Sequence, residues 1–308
     1  MSRDSKHSPR SASTKTGEPV AGFPLSFTWS TGDWTRIFDR QIAQVKQDVA
    51  RARAEDRLVF YLSCPISSRG GGSSATNVDI ARHVERSILE RWGEAFWVLN
   101  PAQYQLESKA GTGLINEHAK ALNIDLSQLR RKGGPLGGDY MRMWTKVLVE
   151  DGEHNLGRHF DAFYFLGPGD VSSFFSHGES HTLTAGIEAY FARKVTTDAT
   201  FRDAFSVPAI DWGVVPKQKP MPDPREAWSK KRKDFLRYYG LQASANFSLG
   251  SHDEWAIFRL INAARRRRSA AAEMLDGDVG DQLSAFFDGR QVDMSSSEGV
   301  LTRGYATS

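Results

Sequence analysis

Apolar residues recur through residues 33–57 at Trp34, Ile37, Phe38, Ile42, Val45 and Val49, a spacing of three and four that predicts a helix. The period then changes. RLVFYLSCPI is an unbroken apolar run, the pattern of a parallel strand buried on both faces. It gives way to the Gly- and Ser-rich SSRGGGSSATN, after which VDIARHVERSILERWG (78–93) restores the helical period. AFWVLNP (95–101) predicts a second strand, closed by Pro101. Strand, loop, helix and strand in this order make a right-handed βαβ unit of a parallel sheet.

The segment 102–137 is less regular. It predicts a short helix near 114–123 and then, in LSQLRRKGGPLGG, a flexible loop. DYMRMWTKVLVEDG (139–152) reads as a helix, DAFYFLGPGD (161–170) as a third strand with its exit, and TLTAGIEAYFARK (182–194) as the next helix. The fold class that follows is α/β: an open, doubly wound, flavodoxin- or Rossmann-like parallel sheet of three or more strands, with extra C-terminal helices. PAIDWGVVPKQKPMPDPREAW is proline-rich and predicts an exposed connection before two further helices, in KRKDFLRYYGLQASANF and DEWAIFRLINAARRRRSAAAEML. The expected division is a disordered tail over 1–22, an α/β domain over 23–205, a helical extension over 206–275 and a polar tail over 276–308.

Composition narrows the classes. Hydrophobic residues at 40% and charged residues at 25% supply a core and argue against global disorder. A net charge of +3 is too balanced to call for nucleic acid as the partner. RRRR at 265–268 and KKRK at 230–233 then read as solvated helix faces or helix ends. Cys64 is the single cysteine, so neither an intramolecular disulfide nor a cysteine zinc cluster can form. No apolar run approaches the roughly 20 residues that span a bilayer, and the cytoplasm is the expected compartment.

In open parallel sheets ligands bind beyond the carboxyl ends of the strands. The loop after the first strand, with Ser63, Ser67, Arg69 and Gly71, can offer backbone N–H groups and a guanidinium to a phosphate. It matches neither GxGxxG nor GxxxxGK[ST]. Asn77 either caps the helix that follows or meets the ligand, and Asp170 in GPGD is either a turn residue or a pocket residue. His177 and His181 stand four apart without an evident third ligand, so no metal is expected. Cys64 reads as a small buried hydrophobe rather than a nucleophile.

The succession FYLSCPI, GGDYMRMW, FDAFYFLGPGD and TLTAGIEAYFARK resembles the nucleoside 2-deoxyribosyltransferases and their N-glycosidase relatives over roughly residues 57–195. The resemblance implies that Tyr61 is the first-strand tyrosine, Asp139 the helix-opening aspartate and Glu188 the nucleophilic glutamate. The acid that the family carries before its glutamate has no counterpart in HTLT, and the glycine after it is replaced by Ala189. The implied activity is cleavage of an N-glycosidic bond, or transfer of the (deoxy)ribosyl group, on a nucleoside or nucleotide. No cofactor is implied; a homo-oligomer is, with Asn246 as a pocket contact from the C-terminal region. The chemistry is coherent by itself: an oxocarbenium-like transition state needs an ionised carboxylate at C1 and an acid for the departing base. Glu188 in a first helical turn would be held ionised by the helix dipole, Tyr61 would fix its rotamer, and Asp139 would serve the base. The alternative is a nucleotide-binding or sensing module of the same fold without turnover.

Overall fold

The computed structural model describes residues 14–15, 19–66, 72–106, 108–152, 154–176, 182–205, 224–245, 248–273, 282–292 and 305–307. In chain order the elements open with β1 (Thr14–Lys15), β2 (Ser26–Phe27), β3 (Trp29–Ser30), α1 (Asp33–Ala54), β4 (Leu58–Ser63), α2 (Ser74–Trp92) and β5 (Phe96–Leu99). A 3-10 turn at Pro101–Gln103 precedes α3 (Lys109–Ala121), α4 (Leu126–Lys132), α5 (Gly137–Val149) and β6 (Ala162–Phe165). Then come α6 (Pro168–Ser176), α7 (Leu183–Thr197), α8 (Ala199–Phe205), α9 (Pro224–Gln242), α10 (Leu249–Glu273), β7 (Ser284–Phe287), β8 (Arg290–Gln291) and β9 (Ala306–Thr307).

The central sheet has the order β5-β4-β6-β7-β8, parallel except for β8, so the α/β class with a doubly wound sheet is observed. Strand order reverses at β4: the chain adds β5 on one side of it and then β6 on the other. Alternation along each strand divides the core into two layers. Val59 and Tyr61 of β4, Leu99 of β5 and Phe163 and Phe165 of β6 pack with α1, α5 and α10. Phe60 and Leu62 of β4, Val98 of β5 and Ala162 and Tyr164 of β6 pack instead with α2, α6, α7, α8 and α9. None of the described helices is long and apolar enough to cross a membrane.

Three sequence expectations change. LSQLRRKGGPLGG is not all loop, because Asp125 accepts from the Gln128 N–H and caps α4 at 2.9 Å. Within the supposed polar tail, the short run SAFF is β7 and takes a central place beside β6; four residues were too few to show a period. Near the N-terminus, Val20 and Phe23 are core residues, and Thr14–Lys15 pair with β3.

Close backbone approach explains particular glycines. A Cβ on Gly138, in the first turn of α5, would collide with the Thr28 carbonyl oxygen, whereas one on Gly113 of α3 would meet nothing within 4 Å. Gly138→Ala should therefore lower the unfolding free energy by about 1–3 kcal/mol through overpacking. Gly113→Ala should be neutral or stabilising by up to about 1 kcal/mol. Urea denaturation of both variants distinguishes these outcomes.

Candidate functional site

Tyr61 and Ser63 lie two residues apart at the carboxyl end of β4, so their side chains leave the same face of the sheet. Both are fully buried, and both hydroxyls donate to one carboxyl group, that of Glu254, the sixth residue of α10. The Tyr61 hydroxyl donates to Glu254 Oε1 at 2.6 Å, and the Ser63 hydroxyl donates to Oε2. The Tyr61 ring is wedged among Trp144, Phe160 and Phe163, with ring centroids 5.8, 6.4 and 5.2 Å away, which fixes where its hydroxyl points. The cluster therefore joins the strand at which sheet order reverses to a helix from the C-terminal third of the chain.

Burial dominates its electrostatics. Loss of solvent pushes the Glu254 carboxyl up to about 7, against the opposing pull of the Ser63 and Tyr61 hydroxyls, and neighbouring Asp253 pushes the same way. Burial, and then the Glu254 charge, raise the Tyr61 hydroxyl and the Cys64 thiol well above their ordinary values. Tyr61 is thus a durable donor, and Cys64 is a thiol rather than a nucleophilic thiolate. Asp253 serves the scaffold instead. Its carboxylate accepts the Tyr305 and Ala306 N–H groups at 2.6 and 3.3 Å, pinning β9 beside the start of α10.

The other expected residues are dispersed. Glu188 is the sixth residue of α7, not a first-turn residue, because Thr182 caps that helix one turn earlier and accepts from the Ala185 N–H at 3.2 Å. Its side chain is 43% exposed and paired with Arg232 at 2.9 Å. The core face of α7 lies in the layer opposite Tyr61, so the expected Tyr61–Glu188 pair does not form. Asp139 is the third residue of α5, where its carboxylate accepts from Leu136 N at 2.6 Å, Ser30 N at 2.7 Å and Ser30 Oγ at 2.8 Å. Burial raises its pKa while these bonds lower it, and their effect is to tie β3 to the start of α5.

Asn77 does not cap α2; Ser73 does, and Asn77 instead donates to Ile66 O at 3.2 Å and accepts from the Tyr239 hydroxyl at 2.9 Å. Asp170 accepts from Tyr164 Oη at 2.8 Å and Gly167 N at 3.0 Å, and burial pushes it up to about 6. Ser67, Arg69, Gly71, Asn246, His177 and His181 lie outside the described residues. Among the described residues, no group of three or more His, Cys, Asp or Glu is placed to hold a metal ion. The basic run RRRR lies within α10 rather than at its end, and Arg265 is buried, donating to the Leu156 and Gly157 carbonyls at 2.8 Å each.

Glu254 carried a readable signal. It falls three, four and seven residues before Ile257, Phe258 and Ile261, on the stripe of α10 that enters the core. A carboxylate in register with an apolar stripe is costly unless it is partnered.

No family model matches the chain, and no curated protein or solved structure matches it.

The pH dependence of stability follows from the raised pKa. Folded, Glu254 holds its proton up to about 7; unfolded, it releases it near the ordinary 4.5. Between those values the native state binds more protons, so this group's contribution makes stability fall as pH rises through the window and level off above it. Relative to wild type, Glu254→Gln should gain unfolding free energy as pH rises from 4.5 to 7, a trend checked by denaturation series across that range. A constant offset would contradict the assignment.

Proposed function

We propose that the chain is an enzyme that cleaves the N-glycosidic bond of a nucleoside or nucleotide, with Glu254 as the carboxylate that meets the anomeric carbon. The observation that carries this reading is the convergence of the Tyr61 and Ser63 hydroxyls on one buried carboxyl at the carboxyl end of β4. That is where ligands bind in open α/β sheets. The tyrosine of the first sheet strand, which the family resemblance singles out, here holds Glu254 rather than Glu188. Exposure and the Arg232 pairing make Glu188 a surface ion-pair residue, and the Asp139 carboxylate is taken up by backbone and hydroxyl donors.

Chemically, an ionised Glu254 oxygen forms a bond to C1 as the C1–N bond breaks and its electron pair departs with the base, which takes up a proton. Water, or the N–H nitrogen of a second base, then attacks C1, gives up a proton in place of the one the departing base took, and releases the carboxylate. Water gives hydrolysis and a base gives transfer. The two hydroxyls act as positioning groups: each donates to the ionised form, fixes its rotamer and lowers its pKa from what burial alone would impose.

The second reading, a binding or sensing module without turnover, is favoured by one specific observation: Glu254 is only 5% exposed, with a hydroxyl on each oxygen. Chromatography of nucleosides, deoxynucleosides, their monophosphates and NAD incubated with the protein separates the two. Base release should occur with wild type and fall by on the order of 10³-fold or more in Glu254→Gln. Because the ionised form attacks, kcat/KM should climb with pH to about 7 and then level. Tyr61→Phe, which removes a donor to that form, should move this limb to higher pH. Release unaffected by Glu254→Gln would place the chemistry elsewhere, and no release from a folded protein would favour the binding module.

A further inference from the structure

The second core layer carries a concavity that Glu254 does not share. It lies between α2, α6 and α7, has a volume of about 520 Å³, and is lined by Arg82 and Arg86 of α2 and Arg193 of α7, with the rings of Phe174 and Tyr190. Its size falls in the range of small-molecule sites, about 300–1,000 Å³. The basic groups outnumber the acidic ones in this lining and are not in close ion pairs. Among the described residues none of the three guanidinium groups has a carboxylate within 4.0 Å; Arg86 Nε donates weakly to Arg82 O at 3.4 Å, and Arg193 lies over the Tyr190 ring at 5.6 Å.

Two carboxylates, Asp79 and Glu85, also line the concavity, but neither is within 4.0 Å of the three guanidinium groups. Asp79 accepts from the Tyr190 hydroxyl at 2.8 Å and pairs with Lys194 at 2.7 Å. Glu85 accepts from Asn100 at 2.8 Å and from Gln103 at 3.0 Å. Arg82 and Arg86 stand one helical turn apart on one face of α2, where like charges oppose each other and destabilise a helix. A third arginine in the same concavity leaves the three cations in excess of the two carboxylates, an excess that a bound anion would offset. Guanidinium groups suit phosphate in particular, because their paired N–H donors match two phosphate oxygens.

We infer that this concavity is a second ligand site, for a small phosphate- or diphosphate-bearing anion, held by Arg82, Arg86 and Arg193 on the sheet face opposite Glu254. The ligand's phosphate meets the guanidinium groups and its organic part lies against the Phe174 and Tyr190 rings. The site is independent of the glycosidase reading.

Isothermal titration of the full chain with inorganic pyrophosphate at low ionic strength tests it. Wild type should bind saturably at one site, and Arg82→Gln/Arg86→Gln should weaken binding by about tenfold or more. Arg266→Gln, which removes an exposed arginine elsewhere, and Glu254→Gln should leave it unchanged. Three results would overturn the inference: no saturable binding by wild type, equal weakening by Arg266→Gln, or loss in Glu254→Gln, which would place the anion on the other face.

Discussion

The desolvation of one carboxyl group constrains the sheet face on which α1, α5 and α10 pack. An ionised glutamate in an apolar layer is strongly destabilising unless donors meet both of its oxygens. Glu254 is met by hydroxyls from two alternate positions of one strand. That arrangement ties α10 to the end of β4, and the helix also packs on α5. Because the partners are neutral hydroxyls rather than a cation, they lower the carboxyl's pKa by less than burial raises it, and it is pushed up to about 7. The same facts give the site its structural rigidity and its chemical poise.

Around that centre the remaining acidic side chains serve the scaffold. Asp139 joins the N-terminal strand β3 to the start of α5. Asp161 accepts from Val59 N at 2.6 Å and pairs with Arg53 at 2.8 Å, linking α1, β4 and the entry to β6. Asp253 holds β9, and Asp170 secures the turn out of β6. Each of these aspartates accepts at least one backbone N–H and so braces the chain, whereas the donors that meet Glu254 are both side-chain hydroxyls.

Much of the fold was legible because its signals are periodic. The spacing of Trp34, Ile37, Phe38, Ile42, Val45 and Val49 gave α1, and the unbroken run LVFYLS gave β4. β7 was hidden because four residues carry no period and its place in the sheet depends on pairing with β6, more than a hundred residues away along the chain. The site was half legible. Tyr61 and Ser63 could be placed at a strand end from local pattern alone, but their partner lies in another segment, 193 and 191 residues on. Glu188 drew attention through its neighbours in sequence, and Thr182 capping shifted the helix start enough to remove the dipole argument for it. Glu254 was the less conspicuous glutamate, although its register with Ile257, Phe258 and Ile261 marked it as buried.

The most direct measurement is an infrared titration of the protein, comparing wild type with Glu254→Gln to isolate one carboxyl C=O band. The band should be present at mildly acidic pH, absent from the variant, and lost with a midpoint near 7. A midpoint at the ordinary carboxylate value would show a solvated group, and the account of a buried, hydroxyl-held carboxyl at the end of β4 would fail.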